Sequence, residues 1–145
     1  MIEAGIALDI FTRAFVRTNG ALFRLTRGRL GSRLGAQSVL LLQTVGRKTG
    51  KAYATPLAYF RDGERYLVVA SNWGSEKHPS WFYNLMGSPQ AAIQTEKGTL
   101  SIEACQAEGE DYQRLWKLVT RQNPRYLRYQ QGIRRQIPIV ILTPV

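Results

Sequence analysis

The 145 residues, 44% of them hydrophobic, suit one domain with a core large enough to need no disulfide framework. Twenty Lys plus Arg against ten Asp plus Glu give a net charge of +10, which points to an anionic partner: nucleic acid, an anionic membrane, or a small molecule rich in phosphate or carboxylate. A single cysteine, Cys105, and a single histidine, His78, exclude an internal disulfide, a Cys-based zinc cluster and a His-rich metal site, so no metal is expected and the chemistry is expected to come from a cofactor.

Residues 1–34 read as a helical segment. Ile6, Ile10, Phe11, Ala14, Phe15, Leu22 and Leu25 recur at helical spacing, with Arg13, Arg17, Arg24 and Arg27 between them. Such a segment packs on its own domain, forms a hairpin broken near Asn19-Gly20, or lies on a membrane surface. No stretch reaches the ~18 apolar residues of a membrane span. Glu3 and Asp9 precede the apolar part, against the order of a secretory signal. The expectation is a cytoplasmic protein, with peripheral contact at the inner face of the cell membrane left open.

From residue 35 to 145 the pattern is mostly extended. Ser38–Val45 is an apolar run suited to a buried strand. Gly46–Lys51 is a tight basic turn, and Ala52–Arg61 resumes as a strand in which Pro56 demands an edge or a bulge. Asp62-Gly63 signals a hairpin into a strand over Arg65–Ser71. A polar loop, Asn72–Pro79, leads to a short helix over Ser80–Gly87, with Pro79 at its start. Gln90–Thr95 and Thr99–Gln106 read as paired strands. Glu108–Arg121 reads as a helix with acids in its first turn, Arg125–Gln131 as a shorter one, and Ile137–Thr143 as the last strand. Tight turns between consecutive strands argue for antiparallel pairing. Six strands with few helices make a mainly β (α+β) fold: a six-stranded antiparallel split barrel carrying peripheral helices.

The charge is uneven. Ten Lys or Arg and no acid lie between Ile10 and Arg61, and seven more lie between Tyr112 and Val145. Part of this charge sits in GRKTGK, where two glycines permit close backbone approach to a ligand and Arg47, Lys48 and Lys51 suit a phosphate. The spacing is not that of a P-loop: Lys51 is followed by Ala52, and the turn leads into a strand, which excludes an NTPase. A plain basic hairpin turn is the other reading. In ASNWGSEKHPSWFYN (Ala70–Asn84) a strand end, a glycine loop and a helix start could hold an anion. Trp73 and Trp81 there either flank a flat ring or pack in the core. His78 is either a proton carrier or a capping or surface residue. Tyr126 and Tyr129 share one face of a helical turn, where phenols orient or protonate a carbonyl or simply pack.

Taken in order, GRKTGK with TPL, VVASNWGSEKHPSWFYNL, SP, NPRYLRYQ and IPIVIL resemble the deazaflavin-dependent nitroreductase family, over roughly Leu40 to Leu142. The resemblance implies a flavin-binding split β-barrel that uses reduced coenzyme F420. It implies hydride transfer to a small-molecule acceptor, a quinone, an enone or a nitro compound. Lys48 with Arg47 would meet the coenzyme's phosphate or glutamyl tail. Thr55 and Pro56 would line it, together with the backbone from Ala70 through Ser71, Asn72 and Trp73 to Gly74. Trp81 and Asn84 would support it from the helix, and Tyr126 and Tyr129 would line the acceptor pocket and help activate the acceptor. The chain departs from the pattern at Tyr53 and Asn72, where relatives often carry basic residues, and at Asn123, where a tyrosine is common. The first two weaken the anion grip, and the third bears on nitro-compound reduction. The resemblance also leaves a homodimer open. The competing readings are an FMN- or haem-binding relative on the same barrel and a non-enzymatic nucleic-acid module. The second lacks aromatics interleaved with basic residues on one strand surface, so no nucleic acid is expected.

Overall fold

The computed structural model describes residues 37–145, so the helical segment expected over residues 1–34 lies outside the described residues. Seven strands form one antiparallel sheet: β1 (Val39–Val45), β2 (Ala52–Ala58), β3 (Phe60–Asp62), β4 (Arg65–Val69), β5 (Gln90–Thr95), β6 (Gly98–Gln106) and β7 (Ile139–Pro144). Their order in the sheet is β2-β1-β5-β6-β7-β4-β3. The edge strands β2 and β3 are therefore neighbours in sequence, separated by Tyr59 alone. One residue cannot cross the width of a flat seven-stranded sheet, so the sheet curls until its two edges approach, which makes the split barrel.

That curl corrects the strand count from six to seven. The strand expected over Ala52–Arg61 breaks at Tyr59, where the chain leaves one edge for the other and the Tyr59 N–H turns to the Ser38 carbonyl at 3.0 Å. Pro56 sits opposite Leu41 in β2, an edge strand, where a missing N–H costs no ladder bond.

The apolar runs read as buried strands because both faces of several strands are covered. Leu40 and Leu42 of β1, Ile93 of β5, Ile102 of β6, Val68 of β4 and Leu142 of β7 fill the barrel interior. Helix α1 (Ser80–Gly87) closes it with Trp81, Phe82 and Leu85. The alternate residues Leu67, Val69, Ile139 and Ile141 point outward into a second core. There α2 (Gly109–Gln122) lays down Tyr112, Leu115 and Val119, spaced for one helical face, and α3 (Arg125–Gln131) adds Tyr126. Glu110 and Asp111 in the first turn of α2 and Arg121 in its last suit the helix dipole.

The last strand starts two residues later than the apolar pattern suggests. The Ile137 carbonyl accepts the buried Tyr112 hydroxyl at 2.7 Å and its N–H donates to Gln130 Oε1 at 2.8 Å, so the backbone of Ile137 is committed elsewhere. At the β3–β4 hairpin, Asp62 accepts hydrogen bonds from Arg114 of α2 and from Arg65, tying hairpin to helix.

Candidate active site

Two sets of contacts organise the candidate site: the β1–β2 turn is joined to α1, and α3 is joined to the loop between β4 and α1. The turn is fastened to α1. The Arg47 N–H and its Nη1 both donate to Oδ1 of the buried Asn84, at 3.1 and 3.0 Å, and the guanidinium lies 4.9 Å from the centre of the Tyr83 ring. Arg47 is thus a bracket between turn and helix, and Lys48 beside it projects from a fixed turn as an exposed cation. Lys51 is exposed in the same turn.

Among the described residues, the loop after β4 has the unusual backbone. Ala70 is buried, and Ser71 is half-buried in right-handed geometry. Asn72 and Trp73 follow with φ of 47° and 56°, the left-handed region that L-residues enter only under constraint. Gly74 continues at φ 80°, and the turn closes through the Gly74 N–H to the Ser71 carbonyl and the Ser75 N–H to the Asn72 carbonyl, both at 3.0 Å. Trp73 is 82% exposed, so it is no core residue. A side chain at Gly74 would meet the Tyr129 ring at 3.0 Å, which places Tyr129 directly against the loop. Tyr126 lies behind it: its ring centre is 6.3 Å from that of Tyr129 and 6.1 Å from that of Phe60 in the second core. Burial first, and then Tyr129, raises the Tyr126 phenol above its ordinary range, so it stays protonated at neutral pH.

Not every residue expected at the site faces it alike. Thr55 pairs with Leu42 and Pro56 with Leu41, so the two lie on opposite faces of β2 and their side chains cannot wall one pocket together. Trp81 is buried in the barrel core and acts from behind the site. Asn84 spends its carbonyl on Arg47. His78 is half-buried against Phe82 and is held below its ordinary range by burial and by Arg135, so it is neutral at neutral pH and accepts a hydrogen bond at Nδ1 from Arg135 at 3.0 Å. Arg135 is the residue that sequence reasoning misses. In GIRRQIP it reads as one more surface charge, and only its contacts across 57 to 65 positions reveal it. Among the described residues no group of His, Cys, Asp and Glu could hold a metal ion, and no helix is long and apolar enough to cross a membrane.

The arrangement provides exposed cations on an anchored turn, a flat exposed aromatic beside a strand end, and a tyrosine facing the same loop. A family model described as F420H(2)-dependent quinone reductase matches residues 15–144. An F420H(2)-dependent quinone reductase of Mycobacterium tuberculosis is 41% identical over 132 residues, which are 88% of this chain and 89% of that protein. A solved F420-H2-dependent reductase (FDR-A) is 35% identical, with a TM-score of 0.67 covering 72% of this chain and 93% of that one. Another solved structure, described as a domain-swapped dimer, has the same identity and TM-score and covers 72% of this chain and 79% of that one. The heme storage protein HutZ of Vibrio cholerae is 16% identical with a TM-score of 0.58, covering 81% and 89% of the two chains, a likeness of fold alone.

Proposed function

We propose that this chain, which belongs to the F420H(2)-dependent quinone reductase family, is an oxidoreductase that passes a hydride from reduced coenzyme F420 to a quinone, enone or nitro-type acceptor. The observation that carries the reading is the match itself, which runs from residue 15 to residue 144 and so takes in the turn, the loop and α3 together. The haem reading has only distant fold likeness behind it.

The residues present fit the coenzyme, which carries a phosphate and a carboxylate tail on a flat ring. Lys48, with Lys51 near it, meets the anionic part, and Arg47 holds their turn in place through Asn84. The backbone from Ala70 to Gly74 borders the ring, Trp73 offers it an exposed aromatic face, and Thr55 flanks it from β2. Trp81 stiffens the helix behind this wall. The deazaflavin ring supplies the hydride when bound. Tyr129 stands at the loop and orients the acceptor by donating its O–H to the acceptor oxygen, where a proton is needed as negative charge develops. The protonated Tyr126 buttresses it within the second core and shares in acceptor activation. This division of labour needs neither metal nor thiol. The swapped dimer of the 35% identical structure supports pairing of this chain in solution as well.

Fluorescence titration with oxidised coenzyme F420, run beside flavin mononucleotide, tests the reading. Micromolar binding of the deazaflavin, with flavin weaker, is expected; binding of flavin alone, or of neither, refutes it.

A further inference from the structure

We propose that Arg135 sets the shape of the coenzyme-binding loop, as a positioning residue that touches neither coenzyme nor acceptor and acts through the backbone of residues 70–78. What the loop binds rests on the functional reading above, whereas the clamp rests on geometry alone.

Arg135 lies in the linker between α3 and β7, and its side chain is half-buried beneath the loop. Its Nε donates to the Ser75 carbonyl at 2.9 Å, Nη1 to the Ala70 carbonyl at 3.2 Å, and Nη2 to the Ser71 carbonyl at 2.9 Å. Nη1 also donates to His78 Nδ1, which places the imidazole proton on Nε2, because a guanidinium cannot accept. One side chain thus gathers the end of β4, both feet of the left-handed turn, and the approach to α1. Its neighbour adds to the grip: the Arg134 N–H points at both carboxylate oxygens of Glu76, 3.3 Å from each.

The position of these contacts gives them a purpose. Asn72 and Trp73 hold left-handed backbone between Ser71 and Ser75, and such backbone persists only where its surroundings over-determine it. Only two backbone hydrogen bonds close the turn from within, and one of them shares the Ser71 carbonyl with Arg135. The guanidinium fork spans the two feet at once. A lysine ammonium, a single point with three donors, cannot reach that spread of acceptors. The four acceptors of Arg135 all lie between Ala70 and His78, past the last residue of β4, so its bonds act on the loop and leave the barrel to its apolar packing. The loop is the segment whose backbone and exposed Trp73 would border the coenzyme, and Arg135 fixes it before the coenzyme arrives.

The test uses Arg135→Lys and Arg135→Ala in the full chain, with hydrogen–deuterium exchange of the loop and coenzyme F420 titration measured side by side. Both variants are expected to exchange loop amides about tenfold faster or more, the scale of losing one charge-assisted hydrogen bond, with the strands unchanged. Coenzyme affinity should fall by a similar factor, while the rate at saturating coenzyme stays within about twofold, a split that general loss of stability does not produce. Millimolar guanidinium should restore affinity in Arg135→Ala and leave Arg135→Lys unaffected. Unchanged loop exchange in both variants overturns the proposal. So does faster exchange with unaltered affinity, and so does a loss of affinity that follows exchange across the whole sheet and resists guanidinium. A wild-type chain that binds no coenzyme, in which loop exchange still depends on Arg135, instead refutes the functional reading and removes the coenzyme role while leaving the clamp.

Discussion

Replacing Gly74 with alanine perturbs the site at its tightest contact. The position has φ 80°, where an L-residue costs about 1–2 kcal/mol. The added methyl would stand 3.0, 3.3 and 3.5 Å from three carbons of Tyr129, so the ring or the loop must give by a few tenths of an ångström. That displacement adds about 1 kcal/mol, at the low end of overpacking. Alanine also restricts the unfolded chain, which returns about 0.4–1 kcal/mol. The net cost is about 1–2.6 kcal/mol, a factor of about 5 to 80. Gly63→Ala is the control: it has φ 62° but nothing within 4 Å of the new methyl, so it reports the backbone cost alone. Urea unfolding and coenzyme F420 titration of both variants separate the two contributions. Gly74→Ala should weaken coenzyme binding about tenfold through the displaced loop and Tyr129, and Gly63→Ala should lower the urea midpoint slightly with binding intact. Equal effects of the two variants on coenzyme affinity refute the claim that the loop and Tyr129 form one packed unit at the site.

Lys48→Ala should reduce coenzyme affinity about tenfold, the scale of one charge-assisted contact, with the urea midpoint unmoved; wild-type affinity removes Lys48 from the site. Tyr129→Phe should slow acceptor reduction more than it weakens coenzyme binding, whereas Tyr126→Phe, deeper in the core and keeping its ring packing, should slow it less; equal rates in wild type and both variants would make the pair packing residues only. Arg114, then Arg65, holds the Asp62 carboxyl well below its ordinary value of 3.8, so the native state binds fewer protons there than the unfolded chain. That stability is present above about pH 4 and is lost as pH falls below it, and Asp62→Asn should flatten this acid limb of the urea midpoint. His78 behaves likewise, from its ordinary 6.5 downward, because burial, and then the like charge of Arg135, disfavours its protonation; an acid limb unaltered by His78→Gln would contradict that placement.

The local signals carried much of this molecule. Apolar runs, the Asp62-Gly63 hairpin and the proline before Ser80 placed the strands, turn and helix near where they lie, because each depends on neighbours within a few residues. The break at Tyr59 was illegible because it depends on where the two sheet edges meet. The same holds for Ile137, whose backbone is claimed by Tyr112 and Gln130 from elsewhere in the chain. At the candidate site, the ordered motifs named segments but not which of their side chains are buried and which exposed. Trp73 and Trp81 look alike in sequence, yet one is exposed and the other closes the barrel. The left-handed pair Asn72-Trp73 escaped because tryptophan carries no turn signal, and Arg135 escaped because a charge in a linker reads as solvated surface.

The central claim is hydride transfer from reduced coenzyme F420. Mixing the enzyme with the reduced coenzyme and a soluble quinone, and following both oxidised coenzyme and quinol, tests it directly. One quinol should form for each coenzyme oxidised, at a rate proportional to enzyme and sharply reduced in Tyr129→Phe. Coenzyme oxidation no faster than without enzyme, across quinone, enone and nitro acceptors, would contradict it.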